Sequence, residues 1–179
     1  MNENFRLENI TLRQYSMLKD VQQKELNGEY DSRIEYYSDL IQIAMNKTSD
    51  EIDSLDIYDF KTLAETLNLE ELNVSDFNNE IKIDGITYIT SAQNNNFSFK
   101  VKEIQEIEKI IKINKNPETE FAAIIWREKG IDGKPVNDFS PEGINKRKEI
   151  FNNNLTIKFI LPYLTKLSQY LTKDENYAK

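Results

Sequence analysis

Apolar residues recur at helical intervals through the first 67 positions, alternate after residue 81, and return to helical spacing from about residue 104. Leu12, Tyr15, Leu18 and Leu26 follow one stripe, with Thr11 and Gln14 in capping-box positions ahead of it and Asn27-Gly28 closing it. Ile34, Tyr37, Leu40, Ile41 and Ala44 form a second stripe over about 32–46, opened by Asp31-Ser32. So short a link predicts that the two helices are antiparallel. Thr48 with Glu51 predicts a short helix carrying Ile52 and Leu55; Asp56 with Asp59 predicts another carrying Ile57, Phe60, Leu63, Ala64 and Leu67.

Ile81, Ile83, Ile86, Tyr88 and Thr90 alternate around Asp84-Gly85, which predicts a β-hairpin. A loop follows at 91–96, including Asn94-Asn95-Asn96, and Phe97, Phe99 and Val101 alternate briefly. Ile104, Ile107 and Ile111 restore the helical period. Pro117, with Asn116 as cap, opens a helix that carries Phe121, Ile124, Ile125 and Trp126 and ends at Gly130. After a Gly- and Pro-containing loop, Pro141 opens a helix with Ile144, Arg147 and Phe151, broken by Asn152-Asn153-Asn154. Residues 155–171 are apolar on more than one side, and Pro162 is expected to kink or divide that helix. The expected fold is mainly α with a small β-hairpin insertion (α+β) and two small helical subdomains. Its parts are an N-terminal helical subdomain at 1–72, a polar connector at 73–80, a β element at 81–101, a C-terminal helical subdomain at 102–171 and a frayed tail at 172–179.

Composition supports a folded helical chain: 39% hydrophobic residues, nine Phe and nine Tyr among 179, against only five Gly and four Pro. No apolar run approaches a membrane span, and the N-terminal residues lack a signal pattern, so no membrane partner is expected. The absence of cysteine fits a reducing cytoplasm. The net charge of −8 is concentrated in residues 48–80, which hold ten acids and one base, Lys61. That block is either a solvated face or a field that steers a basic protein partner, and it disfavours nucleic acid as the main partner.

The chain has no His and no Cys, which removes the usual proton shuttle, thiol nucleophile and soft metal ligands. Asp50, Asp53, Asp56 and Asp59 recur every three residues, but core-type Ile52, Leu55 and Ile57 interrupt them and no Gly provides a calcium-loop turn. Helix capping explains these acids. The run from Lys129 to Pro135 resembles a phosphate-cradling turn only in its glycines; it lacks the full motif and reads as a surface loop. Lys166, Ser168 and Lys173 lie close in sequence without the strained turn a Ser–Lys nucleophile needs. The expectation is a non-enzymatic protein with no cofactor, no metal and no small-molecule substrate.

Three sets of residues are candidates for protein binding. Trp126 and Arg127 form either a binding edge or, respectively, a core anchor and a helix-end cation. Phe159, Tyr163, Leu167 and Tyr170 lie in a segment that is either a docking face, for a partner or a second copy, or the central helix of its own domain. Asp53, Asp56 and Asp59 are the steering acids.

The order of these features resembles small virion-assembly proteins of tailed bacteriophages, described as tail assembly chaperones or minor tail proteins. Ile10, Leu12 and Tyr15 match the opening helix; Ile34, Leu40 and Ile41 the second; Glu51, Leu55, Ile57, Asp59, Phe60 and Leu63 the third part. The stretch from Ile81 to Ile89 resembles the family's strand pair around a Gly, and Ala122, Ile124, Ile125 and Arg127 a later motif. The resemblance spans about residues 8–130 and departs at Glu128, where the family pattern has proline; the last 40 residues follow none of it. It implies a protein that holds an aggregation-prone tape measure or other tail protein in the host cytoplasm while the tail tube polymerises. A relative retained in the virion as a structural or packaged protein is the alternative it implies.

Overall fold

The computed structural model describes residues 5–67, 77–91, 99–114 and 117–174, with side chains through residue 168. The protein is mostly helical with a small antiparallel three-stranded sheet. It divides into two compact units, Met1–Asn73 and Val74–Lys179.

The first unit is a sequence of capped helices: α1 (Leu12–Leu26), α2 (Arg33–Met45), α3 (Ser49–Asp53) and α4 (Ile57–Glu65). Each start is fixed by a side chain that accepts from an otherwise orphaned backbone N–H. Thr11 and Gln14 form a reciprocal capping box on α1, and the Gln14 amide also donates to the Ile43 carbonyl at 2.9 Å. One side chain thus satisfies the beginning of α1 and ties it to the end of α2, as an antiparallel pair requires. Ser32 caps α2, Thr48 and Glu51 box α3, and the Asp56 carboxylate accepts from the N–H groups of Tyr58 and Asp59 at 2.8 and 2.9 Å. Gly28 turns the chain after α1 with φ +71°, a conformation that favours glycine. The core comprises Ile10, Leu12, Leu18, Val21, Leu40, Ile41, Ala44, Ile52, Phe60 and Leu67.

In the second unit, β1 (Glu80–Ile83) and β2 (Ile86–Thr90) form the expected hairpin, with Ile83 opposite Ile86. Asp84 and Gly85 both have positive φ, +49° and +80°, as a two-residue turn matched to strand twist demands. The hairpin is not an isolated insertion. A third strand, β3 (Trp126–Glu128), pairs antiparallel with β2, so β2 is central and the sheet belongs to the core of this unit.

The remaining helices are α5 (Val101–Ile111), α6 (Glu118–Ile125), α7 (Pro141–Asn154) and α8 (Leu161–Asp174). Helix α6 passes directly into β3: Phe121 through Trp126 are all essentially buried, and Trp126 takes extended angles. The expected helix to Gly130 therefore ends early. The backbone from Trp126 pairs with β2, and the buried β-branched and aromatic run leading into it cannot be told by period analysis from a buried helical turn.

Other boundaries also differ from expectation. Val101 opens α5 rather than continuing a strand, and Pro117 stands at the N-cap of α6 rather than inside its first turn. Asn152-Asn153-Asn154 is the last turn of α7 rather than a break. The long 155–171 segment is divided: a short 3-10 turn at Ile157–Phe159 precedes α8, and Pro162 is the second residue of α8. Proline is tolerated in a first turn, so it starts this helix instead of kinking it. The backbone remains helical through Asp174, beyond the expected end at 171. Residues 73–76, Asn94-Asn95-Asn96, Phe97, Asn116, the Tyr170 side chain and residues 175–179 lie outside the described set.

Candidate functional site

The sequence candidates fall into two environments. Trp126 and Tyr163 have no exposed surface, Arg127 is 1% exposed, and Leu167 is also buried, while Phe159 is half-buried. Trp126 and Tyr163 meet edge to face at 5.8 Å, and Phe77 meets the same Tyr163 ring at 5.3 Å. The Tyr163 hydroxyl donates to the Asn78 carbonyl at 2.5 Å, and burial raises its pKa above the ordinary phenol range. Trp126, Arg127, Tyr163 and Leu167 are thus core groups of the second unit and present no free docking face there. Trp126 is buried, as a core anchor would be; Arg127 follows the C-cap of α6 but lies in β3 and pairs with the Glu103 carboxylate.

Arg127 instead forms a buried ion pair that sequence reasoning missed. Its Nη2 donates to Glu103 Oε1 at 2.5 Å, and both side chains are 1% exposed. The same Glu103 accepts from the Ser91 hydroxyl at 2.5 Å and from the Lys100 backbone N–H at 2.8 Å. Phe139 lies 4.4 Å from the guanidinium, and a cation over a ring face is attracted by the ring quadrupole. Desolvation lowers the Arg127 pKa, the Glu103 charge opposes that, and the neighbouring Arg147 cation adds to the lowering.

Arg147 is likewise buried. Its Nε donates to the Ala123 carbonyl at 2.7 Å, its Nη2 to the Asp138 carbonyl at 2.8 Å, and its Nη1 reaches the Asp138 carboxylate at 3.4 Å. The two clusters fasten α5, β3, α7 and the 129–140 loop to one another. Glu103 thus receives three donors: Arg127 Nη2, the Ser91 hydroxyl and the Lys100 backbone N–H. The arrangement joins residues distant in sequence. Its only sequence signal was a charged residue on an apolar stripe: Glu103 sits four positions before Ile107, and Arg147 four before Phe151.

The acids behave differently. Asp50, Glu51, Asp53, Asp56 and Asp59 are all exposed on α3, α4 and the link between them. Among them stand two exposed apolar side chains, Ile57 at 50% and Tyr58 at 80%. Glu51 has a lowered pKa, first because the Thr48 backbone N–H donates to it, then its hydroxyl, then through the Lys47 charge. Among the described residues, no group of three or more acidic side chains is arranged to hold a metal ion. No described helix is long and apolar enough to cross a membrane. Five exposed carboxylates, two exposed apolar side chains and the exposed Lys61 thus share this stretch. Compared with protein-family models, curated proteins and solved structures, the chain matches none.

Proposed function

We propose that the protein is a non-enzymatic protein-binding factor that presents α3 and α4 to a basic partner. The observation that carries this reading is the exposure of Ile57 and Tyr58 in a stretch that also exposes Asp50, Glu51, Asp53, Asp56 and Asp59, against the single base Lys61 one turn along α4. Large apolar groups held in water lose their hydration on contact, while the predominantly negative charge of this stretch favours a basic partner and speeds encounter. The burial of Trp126, Tyr163 and Leu167 supports this assignment by removing the competing surface.

The biological setting we propose is the one the resemblance implies: phage virion morphogenesis, with a tape measure or other tail protein as partner, in the manner of a tail assembly chaperone. Mass spectrometry of purified particles tests the setting. A chaperone is abundant in infected cells and missing from particles, whereas a reproducible copy number in particles overturns the chaperone role in favour of a retained virion protein. The two compact units serve, in this reading, as two small helical subdomains with separate cores. Scanning calorimetry is then expected to resolve two transitions; a single calorimetrically two-state transition contradicts it.

The surface itself is tested by titrating a Lys-rich amphipathic peptide onto the full chain and onto Asp53→Lys/Asp59→Lys. We expect the double charge reversal to weaken binding at least about tenfold, a shift near 1.4 kcal/mol. Equal affinity for both proteins sinks the reading.

A further inference from the structure

The second unit carries a surface of complementary character. On α5, Ile107 and Glu103 face the core, but Val101, Ile104, Glu108 and Ile111 follow at three- and four-residue steps along a row that is exposed except at the half-buried Ile104. Val101 is 76% exposed, Ile111 41%, and Ile113 just beyond the helix 86%. Lys100, Lys102, Lys109 and Lys112 are exposed beside this row, against Glu106 and Glu108, with Glu106 already bridged by Lys102 and Lys109 at 2.7 and 2.9 Å. An apolar row with a net positive border therefore lies on the same chain as an exposed apolar pair in a net negative stretch, five carboxylates against Lys61 and the Glu51-paired Lys47. The bulk composition points the same way: residues 81–179 hold sixteen bases and thirteen acids, while residues 48–80 hold one base and ten acids.

We propose that the α5 face of one copy docks on the α3–α4 surface of a second copy, so that the protein self-associates through this contact. This rests on the reading of α3–α4 as a binding surface and names a second copy of the chain as one basic partner it accepts. Ile57 and Tyr58 would meet Val101, Ile104 and Ile111, while Asp53 and Asp59 face Lys109 and Lys112. Because the two surfaces differ, a reciprocal contact closes a dimer with two identical interfaces, and a non-reciprocal one propagates head to tail. Free copies masked in this way would release α3–α4 to any partner that competes better for it.

The net charge of −8 makes whole copies repel, so salt acts in opposite directions on the contact and on the background. Charge reversal is the cleaner test. Sedimentation velocity of the full chain between about 1 and 100 µM is expected to show mass rising with concentration. Asp53→Lys/Asp59→Lys and Lys109→Glu/Lys112→Glu should each weaken association at least about tenfold. Their equimolar mixture should restore it, since each reversed surface then finds an opposite one in the other protein. Val101→Glu/Ile113→Glu, at exposed positions outside the core, should also dissociate the assembly; circular dichroism checks that every variant keeps its helical content.

A monomeric wild type across the range overturns the proposal, including the case in which α5 docks within its own chain. Association that survives all three variants, or a mixture that fails to reassociate, overturns it as well. If the wild type is monomeric but still binds the Lys-rich peptide through α3–α4, self-docking is wrong and the function reading stands; if it binds neither, both are wrong.

Discussion

At the scale of single residues, the second unit depends most on charges placed where water is absent. Glu103 and Arg127 are each buried to 1% exposure, and neither has bulk solvent to fall back on if its partner is removed. Glu103→Gln or Arg127→Met alone leaves one unpaired buried charge and should destabilise by about 3–5 kcal/mol. Replacing both together, Glu103→Gln with Arg127→Met, should lose clearly less than the sum of the single effects. Thermal or urea unfolding followed by the fluorescence of Trp126, the sole tryptophan, reads this double-mutant cycle. Additive losses would show that the pair does not act as a unit.

Acid sensitivity belongs to the same scale. Glu51, Glu106 and Asp138 have pKa values below the ordinary carboxylate range. The Thr48 backbone N–H leads for Glu51, hydrogen bonds from Lys102 and then Lys109 for Glu106, and the Ser140 hydroxyl for Asp138. A carboxyl depressed in the folded state adds stability above its unfolded pKa and gives that contribution up as pH falls through the folded value. Stability should therefore decline on acidification below about pH 4, the ordinary carboxylate range. Asp138→Asn should flatten the decline, and an unchanged profile of melting temperature against pH would contradict the assignment of Asp138.

At the scale of elements, Pro162 decides between two accounts of the C-terminal segment. As the second residue of α8 it lacks only an N–H that a first turn leaves unpaired, so Pro162→Ala should change helix content little and stability by less than about 1 kcal/mol. A substantial gain in helicity would instead mean that the proline interrupts one continuous helix. Local chemistry made the helix starts legible in the sequence. Thr11 with Gln14, Thr48 with Glu51, and Asp56 before Asp59 each cap as their spacing implies, and Asp84-Gly85 turns the hairpin.

Elements fixed by distant partners were not legible. Strand β3 exists because β2 offers it an edge, and nothing in the run from Phe121 to Trp126 marks where helix gives way to strand. The division of residues 155–171 was legible at Pro162, the second residue of α8; the 3-10 turn at Ile157–Phe159 ahead of it, where Leu155, Ile157, Ile160 and Tyr163 are buried, was not. The candidate site was half legible for a related reason. Apolar abundance in 155–171 and at Trp126 signals burial and binding alike, and only the fold separates them, whereas the acids of α3 and α4 read as helix caps, and Glu51 and Asp56 cap as read.

At the scale of the whole molecule, charge is divided along the chain as clearly as structure is. The first unit holds the acidic helix starts with Ile57 and Tyr58 exposed among them, and the second holds a closed core with its own charges paired inside. Such a division suits a protein that recognises another protein by field and a small apolar centre, with no rearrangement of its cores required. Hydrogen–deuterium exchange of the full chain with and without a Lys-rich amphipathic peptide tests that claim most directly. The account expects new protection confined to residues 48–60 in the first unit. Protection that appears in residues 155–168 and leaves 48–60 unchanged would contradict it and return the binding surface to the C-terminal helix.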